Sequence, residues 1–567
     1  AAMFRSATSF NQNIGSWNVA NVINMGSMFD NANSFAQDIS GWDVGNVTNM
    51  SSMFQNADAF NIDISGWNVS KVTSMSNMFN ANNIFNQNLS NWDVSSVTNM
   101  TYMFSQASVF NSPLNWGSKT GNVTNMVRMF AQAPQFNQDI DGWDVSKVTS
   151  TNLMFYRTNS FNQSLNSWNV GNLTDPRQMF QECTSFNGDI SSWVFTTDPA
   201  KTINAASMFQ SATAFNQDIS NWNVERFTNM AAMFRSATSF NQNIGSWNVA
   251  NVINMSSMFD NANSFTFNIG NWNVGNVTNM SSMFQNADAF NIDISGWNVS
   301  KVTSMANMFN ANNVFNQDLS NWDVSSVTNM EGMFRQMPLF NAALNWGTKT
   351  GNVTNMRYMF YATPLFNQNI NSWNVSKVTN FRQMFHDATN FNQSLTNWQF
   401  NNESNKTIDM DYMFYNATSF NQDIGTWNIS RVTKLYFFLA GGKLSRANYD
   451  ALLLGWSTLD AGESQVPINL NAHFGSSKYS DTAAVLAARN TTLIANKNWT
   501  ITDGGTDPDV IVPFIESSTL ASNNATISIT FSENVYKTDV GNGVLETTDF
   551  LFSLSGGTTA TLNSSIP

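Results

Sequence analysis

The stretch from Val47 to Lys71 reads Val-Thr-Asn-Met-Ser-Ser-Met-Phe-Gln-Asn-Ala-Asp-Ala-Phe-Asn-Ile-Asp-Ile-Ser-Gly-Trp-Asn-Val-Ser-Lys, and at Val72 the same pattern begins again. Seventeen Met-Phe pairs, from Met3 to Met413, mark successive copies, most of them 25 residues apart. The units opening at Met103 and Met333 are 26 long, and those opening at Met179 and Met384 are 29 long. A period of this length is the mark of a stack in which each unit buries its apolar face on its neighbours. A larger duplication lies on top of it. Residues 231–265 repeat residues 1–35 with one change, Gly26 to Ser256, and residues 281–310 repeat 51–80 with one change, Ser76 to Ala306. The second block has one unit between its 26- and 29-residue members where the first has two. Gain or loss of a whole unit is tolerated when contacts run only between neighbours.

Within the unit, Met50, Met53, Phe54 and Ala57 lie at i, i+3, i+4 and i+7, the spacing of one helix face, and Thr48 is placed to cap a short helix. Phe60 and Ile64 share the parity of an inward-facing strand, with Asn61 and Asp63 on the other side. Trp67, Val69 and Val72 return through turns. The recurrent Asn61, Asn86, Asn111 and Asn137 are expected to form an amide ladder that satisfies turn backbone, with an Asn-lined ligand groove as the alternative. The fold class expected is an α/β solenoid of short parallel strands and short helices, extending roughly 80 Å at strand spacing.

This pattern resembles the BspA-type bacterial surface-repeat family, whose units are leucine-rich-repeat-like. The likeness rests on Val-Thr-Asn-Met-x-x-Met-Phe (Val47 to Phe54, Val277 to Phe284) and Asp-Ile-Ser-x-Trp-Asn-Val-Ser (Asp63 to Ser70). It covers residues 1–438, and it implies a secreted or surface-attached bacterial protein, often an adhesin. This chain departs from the family in carrying Phe and Ala where Leu and Cys are frequent.

The repeat breaks down after Val432. Residues 439–505 read as a C-terminal cap with helical stretches at Ser445–Leu459 and Asp481–Asn496 and a strand at Trp499 to Thr502, resembling the ends of such arrays in surface proteins. In the first stretch Tyr449, Leu452, Leu453 and Trp456 form one face. Residues 506–567 resemble part of a bacterial Ig-like β-sandwich, with strands expected at Ala525–Phe531 and Phe550–Leu554. The chain opens at Ala1, inside a unit, and is read as a piece of a longer multidomain protein.

Charged residues make up 11% and the net charge is −13, which argues against nucleic acid and anionic lipid as partners. No run approaches the length of a membrane span. The single cysteine, Cys183, excludes an internal disulfide framework and stands where other units carry Ala, so it reads as a small buried side chain. The catalytic inventory is thin: two histidines, His386 and His473, and no nucleophile, P-loop or metal-binding motif. His386 occupies the outward position held by Arg5 and Gln55 elsewhere and reads as solvated. Asp38, Asp63, Asp139, Asp189, Asp218, Asp293, Asp318 and Asp423 recur before the strand Ile. They read as a solvated polar face, with Ca²⁺ sites or a glycosidase carboxylate pair as the alternatives and no other cofactor expected.

One surface feature stands out. The outward positions flanking each Met-Phe carry mostly Ser, Gln, Asn or Asp. Late in the first block they carry Arg128, Tyr156 and Arg157. Late in the second they carry Arg335, Arg357, Tyr358, Tyr361, Arg382, Tyr412 and Tyr415. Stacking should gather these, and Tyr and Arg are the side chains that anchor interfaces. Partner-binding residues are therefore expected at Arg335, Tyr358, Tyr361, Arg382, Tyr412 and Tyr415. The reading is a non-enzymatic extracellular scaffold or adhesin for a protein or glycan. A carbohydrate-active enzyme on a solenoid is the alternative, as is an ice- or crystal-face binder that uses a Thr row (Thr48, Thr73, Thr98) interrupted by Ile23 and Ile253.

Overall fold

The computed structural model of the protein describes residues 1–507, 515–520 and 527–531. It divides into two units, Ala1–Gly505 and Thr506–Pro567. In the second, Ile515–Leu520 pairs antiparallel with Ile527–Phe531. The strand expected at Phe550–Leu554 lies outside the described residues.

The first unit is a repeat solenoid, but its rungs are built from turns rather than helices. In the rung that opens at Met50, i+3 to i backbone bonds close Met50–Met53, Phe54–Ala57, Ala57–Phe60, Ile64–Trp67 and Val69–Val72, at 2.9–3.2 Å. The residues that bound these turns, Met50, Met53, Phe54, Ala57, Phe60, Ile64, Trp67, Val69 and Val72, are all buried. Two consecutive four-residue turns give the same i, i+3, i+4, i+7 spacing as a helix, which is why the expected helix at Met50–Ala57 does not appear. Ser52 (φ 56°) and Asn56 (φ 52°) sit in the left-handed region, which ends any helix and which short polar side chains tolerate best. Thr48 accordingly caps nothing. Its hydroxyl donates to the carbonyl of Ile23 on the preceding rung at 3.3 Å.

The alternation of right- and left-handed residues turns every second peptide along the stacking direction. The N–H groups of Met50, Ser52, Phe54 and Asn56 donate to the carbonyls of Ser74, Ser76, Met78 and Asn80 on the next rung, at 2.7–3.0 Å. The Thr row runs the other way, Thr73 N–H donating to the Thr48 carbonyl and Thr98 N–H to that of Thr73. Between the two lies the parallel pairing itself, reduced to bridges such as Asn24 to Asn49 and Asn49 to Ser74.

The expected strand at Phe60–Ser65 is therefore misplaced. Parallel pairing occurs one corner away, and the 60–65 segment is bonded through side chains. The Asn61 amide oxygen accepts the backbone N–H of Asn86 at 3.0 Å, Asn86 serves Asn111 at 2.8 Å, and Asn111 serves Asn137 at 2.9 Å. The expected amide ladder is present, and it takes the place of backbone pairing along this edge.

Aromatic side chains lock the stack from within. Phe54 stacks on Phe29 and Phe79 of the adjoining rungs at 5.7 and 5.8 Å, and on Phe60 of its own at 3.8 Å. Each rung Trp from Trp42 to Trp427 donates its indole N–H to the Ile or Leu carbonyl of the rung before, at 2.7–3.2 Å. Trp17, in the first rung, is 41% exposed. Cys183 is buried and its thiol donates to the Thr158 carbonyl at 2.9 Å. Burial pushes its pKa upward, so it remains a neutral thiol.

After the last rung the ladder continues into residues 439–505. Leu439 N–H donates to the His473 carbonyl, and Phe474 N–H to that of Thr502. Asn471–His473 and Thr500–Thr502 pair in parallel. The helix Arg446–Ser457 is capped by Ser445 and buries Tyr449, Leu452, Leu453 and Trp456. Trp456 donates to Ile424 as a rung Trp would.

The indole bond can be tested. Trp297→Phe removes one of the two donors to the Ile269 carbonyl, the indole at 3.2 Å, and leaves the Trp272 N–H at 3.1 Å. The chain should lose about 0.5–1.5 kcal/mol in urea unfolding. Trp17→Phe, at a residue that is 41% exposed, should change stability by less than about 0.5 kcal/mol. Equal losses would remove the indole bond as a source of stability.

Candidate interaction surface

The left-handed position just before each Met-Phe holds Ser, Asn or Gln in most rungs, for the steric reason given above. In the late second block it holds Tyr358 (φ 59°), Tyr412 (φ 58°) and Phe437 (φ 52°). A bulky side chain there costs on the order of 1 kcal/mol. The same face in the first block carries Tyr102 (φ 58°) and Arg128 (φ 55°), the guanidinium of Arg128 lying 5.4 Å from the Tyr102 ring centre.

The rung register assembles these residues into one strip. The Arg335 guanidinium lies 5.1 Å from the Tyr358 ring centre and 5.2 Å from that of Tyr361. Arg357 lies 4.4 Å from Tyr358 and donates to its hydroxyl at 2.6 Å. Tyr361 stacks on His386 at 4.6 Å, and His386 stacks on Tyr415 at 4.5 Å. Arg382 lies 5.5 Å from the Tyr412 ring centre and pairs with Asp411 at 3.0 Å. Tyr412 stacks on Phe437 at 5.3 Å, and Phe437 on His473 at 5.4 Å. All six expected residues, Arg335, Tyr358, Tyr361, Arg382, Tyr412 and Tyr415, thus fall on this strip and are half-buried by mutual contact.

His386 is a correction. It is not solvated but sandwiched between tyrosines of the two adjoining rungs, with its side chain 13% exposed. Phe437 and His473 extend the strip into the C-terminal segment. Sequence spacing could not place them, because the period has ended there.

Charge is unevenly matched. Arg382 has Asp411, and Arg357 has Glu331 at 3.9 Å. Arg335 faces only tyrosine rings, and its Nε is buried with no acceptor. Burial lowers the His386 pKa below the ordinary imidazole value, while Asp387, 2.8 Å away, works in the opposite direction. His473 is also lowered by burial, against Asp503.

The other candidate rows are structural. Each Asp of the Asp38 row accepts the backbone N–H two residues on, as Asp63 does from Ser65 at 2.9 Å. The serine two residues on holds four of these carboxyls below the ordinary carboxylate range, through its side chain first and its backbone N–H second at Asp38 and Asp218, and in the reverse order at Asp63 and Asp293. Among the described residues no three His, Cys, Asp or Glu converge as a metal site. The Thr hydroxyls donate to the preceding carbonyl along the row, Thr73 to Thr48 at 3.1 Å and Thr98 to Thr73 at 3.3 Å. No helix among the described residues is long and apolar enough to cross a membrane.

The family model described as "Mycoplasma protein of unknown function, DUF285" matches residues 1–79, 40–119, 62–155, 115–202, 196–280, 264–350 and 345–451. No curated protein matches the chain. Among solved structures, an internalin (inlF) from Listeria monocytogenes is 12% identical, covering 53% of this chain and 80% of its own, with a TM-score of 0.14. TLR13 in its complex with ssRNA13 is 9% identical, covering 85% of this chain and 80% of its own, with a TM-score of 0.18. Scores this low leave the argument with the chain's own geometry.

Because the chain has two histidines, their titration is easily resolved by NMR. Both imidazoles should titrate below the ordinary value. Asp387→Asn removes the charge that favours the imidazolium and should move His386 lower still, leaving His473 where it was. A His386 midpoint that rises or stays in the variant would contradict the packing described.

Proposed function

The chain belongs to the DUF285 family, and on that footing we propose that it is a non-enzymatic surface scaffold whose solenoid displays the Tyr–Arg–His strip to a protein or glycan partner. The observation that carries this reading is the strip itself. Bulky residues occupy strained left-handed positions at Tyr358, Tyr412 and Phe437, with Gln383 in the rung between the first two, where Ser and Asn would be more stable. Tyr and Arg combine large contact area with directional hydrogen bonds, which is the composition of interface anchors. The non-enzymatic part rests on the thin inventory: both histidines are stacked on aromatic rings, Cys183 is a buried neutral thiol, and the recurrent carboxylates are engaged in turns. The resemblance to BspA-type surface repeats supports an extracellular, bacterial cell-surface location and an adhesin role.

The test is direct. Wild-type chain and a Tyr358→Ser, Tyr361→Ser, Tyr415→Ser variant are coated on beads and offered to cultured cells and to a glycan array. The variant should bind more weakly by over ~2 kcal/mol in total, roughly thirtyfold. Its thermal melt should be little changed, since Tyr358 gives way to the ordinary occupant of the left-handed position and Tyr361 and Tyr415 lie outside the buried core. Equal binding by the two proteins, or no binding by the wild type, would overturn the strip as a docking site and leave the solenoid a spacer.

A further inference from the structure

A second site lies on the opposite row, at the first of the two 29-residue units. From Trp67 to Val72 the ordinary unit takes five steps, whereas from Trp193 to Ile203 this one takes ten. The same unit lacks the Thr of Val-Thr-Asn, since Ile203 runs directly into Asn204. Ile203 pairs with Phe227 and Asn204 with Asn229, so Thr228 has no residue opposite it on the preceding rung. A longer loop beside a missing floor residue leaves a groove of ≈ 500 Å³, which runs from Lys201 across the next rungs to Lys301.

The groove differs from the rest of the surface in charge. It is lined by Lys201, Arg226 and Lys301 against one carboxylate, Glu225. Three cations less one anion leave +2, in a chain whose net charge is −13. The ammonium groups of Lys201 and Lys301 rest on amide oxygens, of Asn172 at 2.8 Å and Asn276 at 2.7 Å, and so keep their charge uncompensated. Arg226 donates to Glu225 at 3.0 Å, while its Nε is buried without an acceptor. Ile253 stands on the floor where most rungs carry Thr, and is 50% exposed. At the second 29-residue unit the corresponding edge is covered by the chain itself. Asn402 donates to the Gly462 carbonyl, and Ser464 and Gln465 bond to Ser430.

We propose that this groove binds an anionic polysaccharide, with Lys201, Arg226 and Lys301 pairing with its carboxylate or sulfate groups and Ile253 packing on a sugar face. No aromatic side chain lines the groove, so it offers no platform for stacked bases, and single-stranded nucleic acid fits it poorly. A protein partner would need an apolar centre, and the floor is mostly Thr and Asn. Lys201, Arg226, Asn251, Asn276 and Lys301 fall on successive rungs ~4.8 Å apart, so the cations stand at the two ends of the groove with amides between them, a spread that suits an extended linear polymer.

The experiment titrates the full chain with polygalacturonate and with dextran sulfate, using calorimetry at low and physiological salt. Neutral dextran, single-stranded poly(dT) and poly-glutamate serve as comparison polymers. At least one of the two anionic polysaccharides should bind, with affinity falling as salt rises, and dextran should not. Lys201→Gln with Lys301→Gln should weaken binding about tenfold or more. Lys71→Gln with Lys147→Gln should leave it unchanged, because those lysines rest on Asn amides outside the groove in the same way. Ile253→Asp should weaken binding further by adding a carboxylate to the floor. The proposal is overturned if neither anionic polysaccharide binds, if the two lysine pairs have equal effects, or if poly(dT) or poly-glutamate binds as tightly.

Discussion

Each rung must accept hydrogen bonds that the previous rung sends along the stacking direction. At the Met-Phe corner three or four N–H groups per rung point at carbonyls of the next, and the pattern repeats from Ala2 N–H to the Gly26 carbonyl through Asn416 N–H to that of Ala440. Buried backbone donors left without acceptors cost about 1–3 kcal/mol each, so no rung is stable alone and none can slip. The two near-identical blocks and the missing unit follow from this: any rung with the same corner geometry can follow any other. The same constraint explains the C-terminal segment, where Leu439 N–H still finds a carbonyl, now that of His473.

That corner geometry also sets what the surface can carry. Outward positions in the left-handed region select Ser, Asn and Gln, so those positions are uncharged in most rungs of the solenoid. Charge and aromatic area appear where the rule is broken. Tyr358, Tyr412 and Phe437 break it by side-chain size, and Thr228 by having nothing opposite it. The two candidate sites therefore arise from departures from a regular frame, one by substitution within it and one by an altered length of a single rung.

Much of this was legible in the sequence. The period gave the stack, and the apolar positions gave the core, with Phe60, Ile64 and Trp67 buried as expected. The Asn61 ladder followed from one recurrent amide. The helix did not follow, because Met50, Met53, Phe54 and Ala57 have the same spacing in a helix and in two consecutive turns. Ser52 and Asn56 between them, poor helix formers that tolerate positive φ, were the signal that separates the two. The strand was placed at Phe60–Ser65 because a side-chain amide can do there what a carbonyl does in a sheet. Of the strip, the six Tyr and Arg residues were visible as departures from a bland pattern. His386 was not, since its burial comes from tyrosines on the rungs before and after it. The groove was invisible because one deleted Thr matters only once the rungs are in register.

The turn corner is the central claim, and one pair of substitutions distinguishes it from a helix by sign. Ser282 has φ 56°, and Gly332 already occupies the equivalent place at φ 59°. In urea unfolding of the full chain, Ser282→Gly should be at least as stable as the parent, and Ser282→Ala less stable by about 1 kcal/mol. A helical corner demands the reverse order, Ala above Gly by about 1 kcal/mol, and that result would contradict the account.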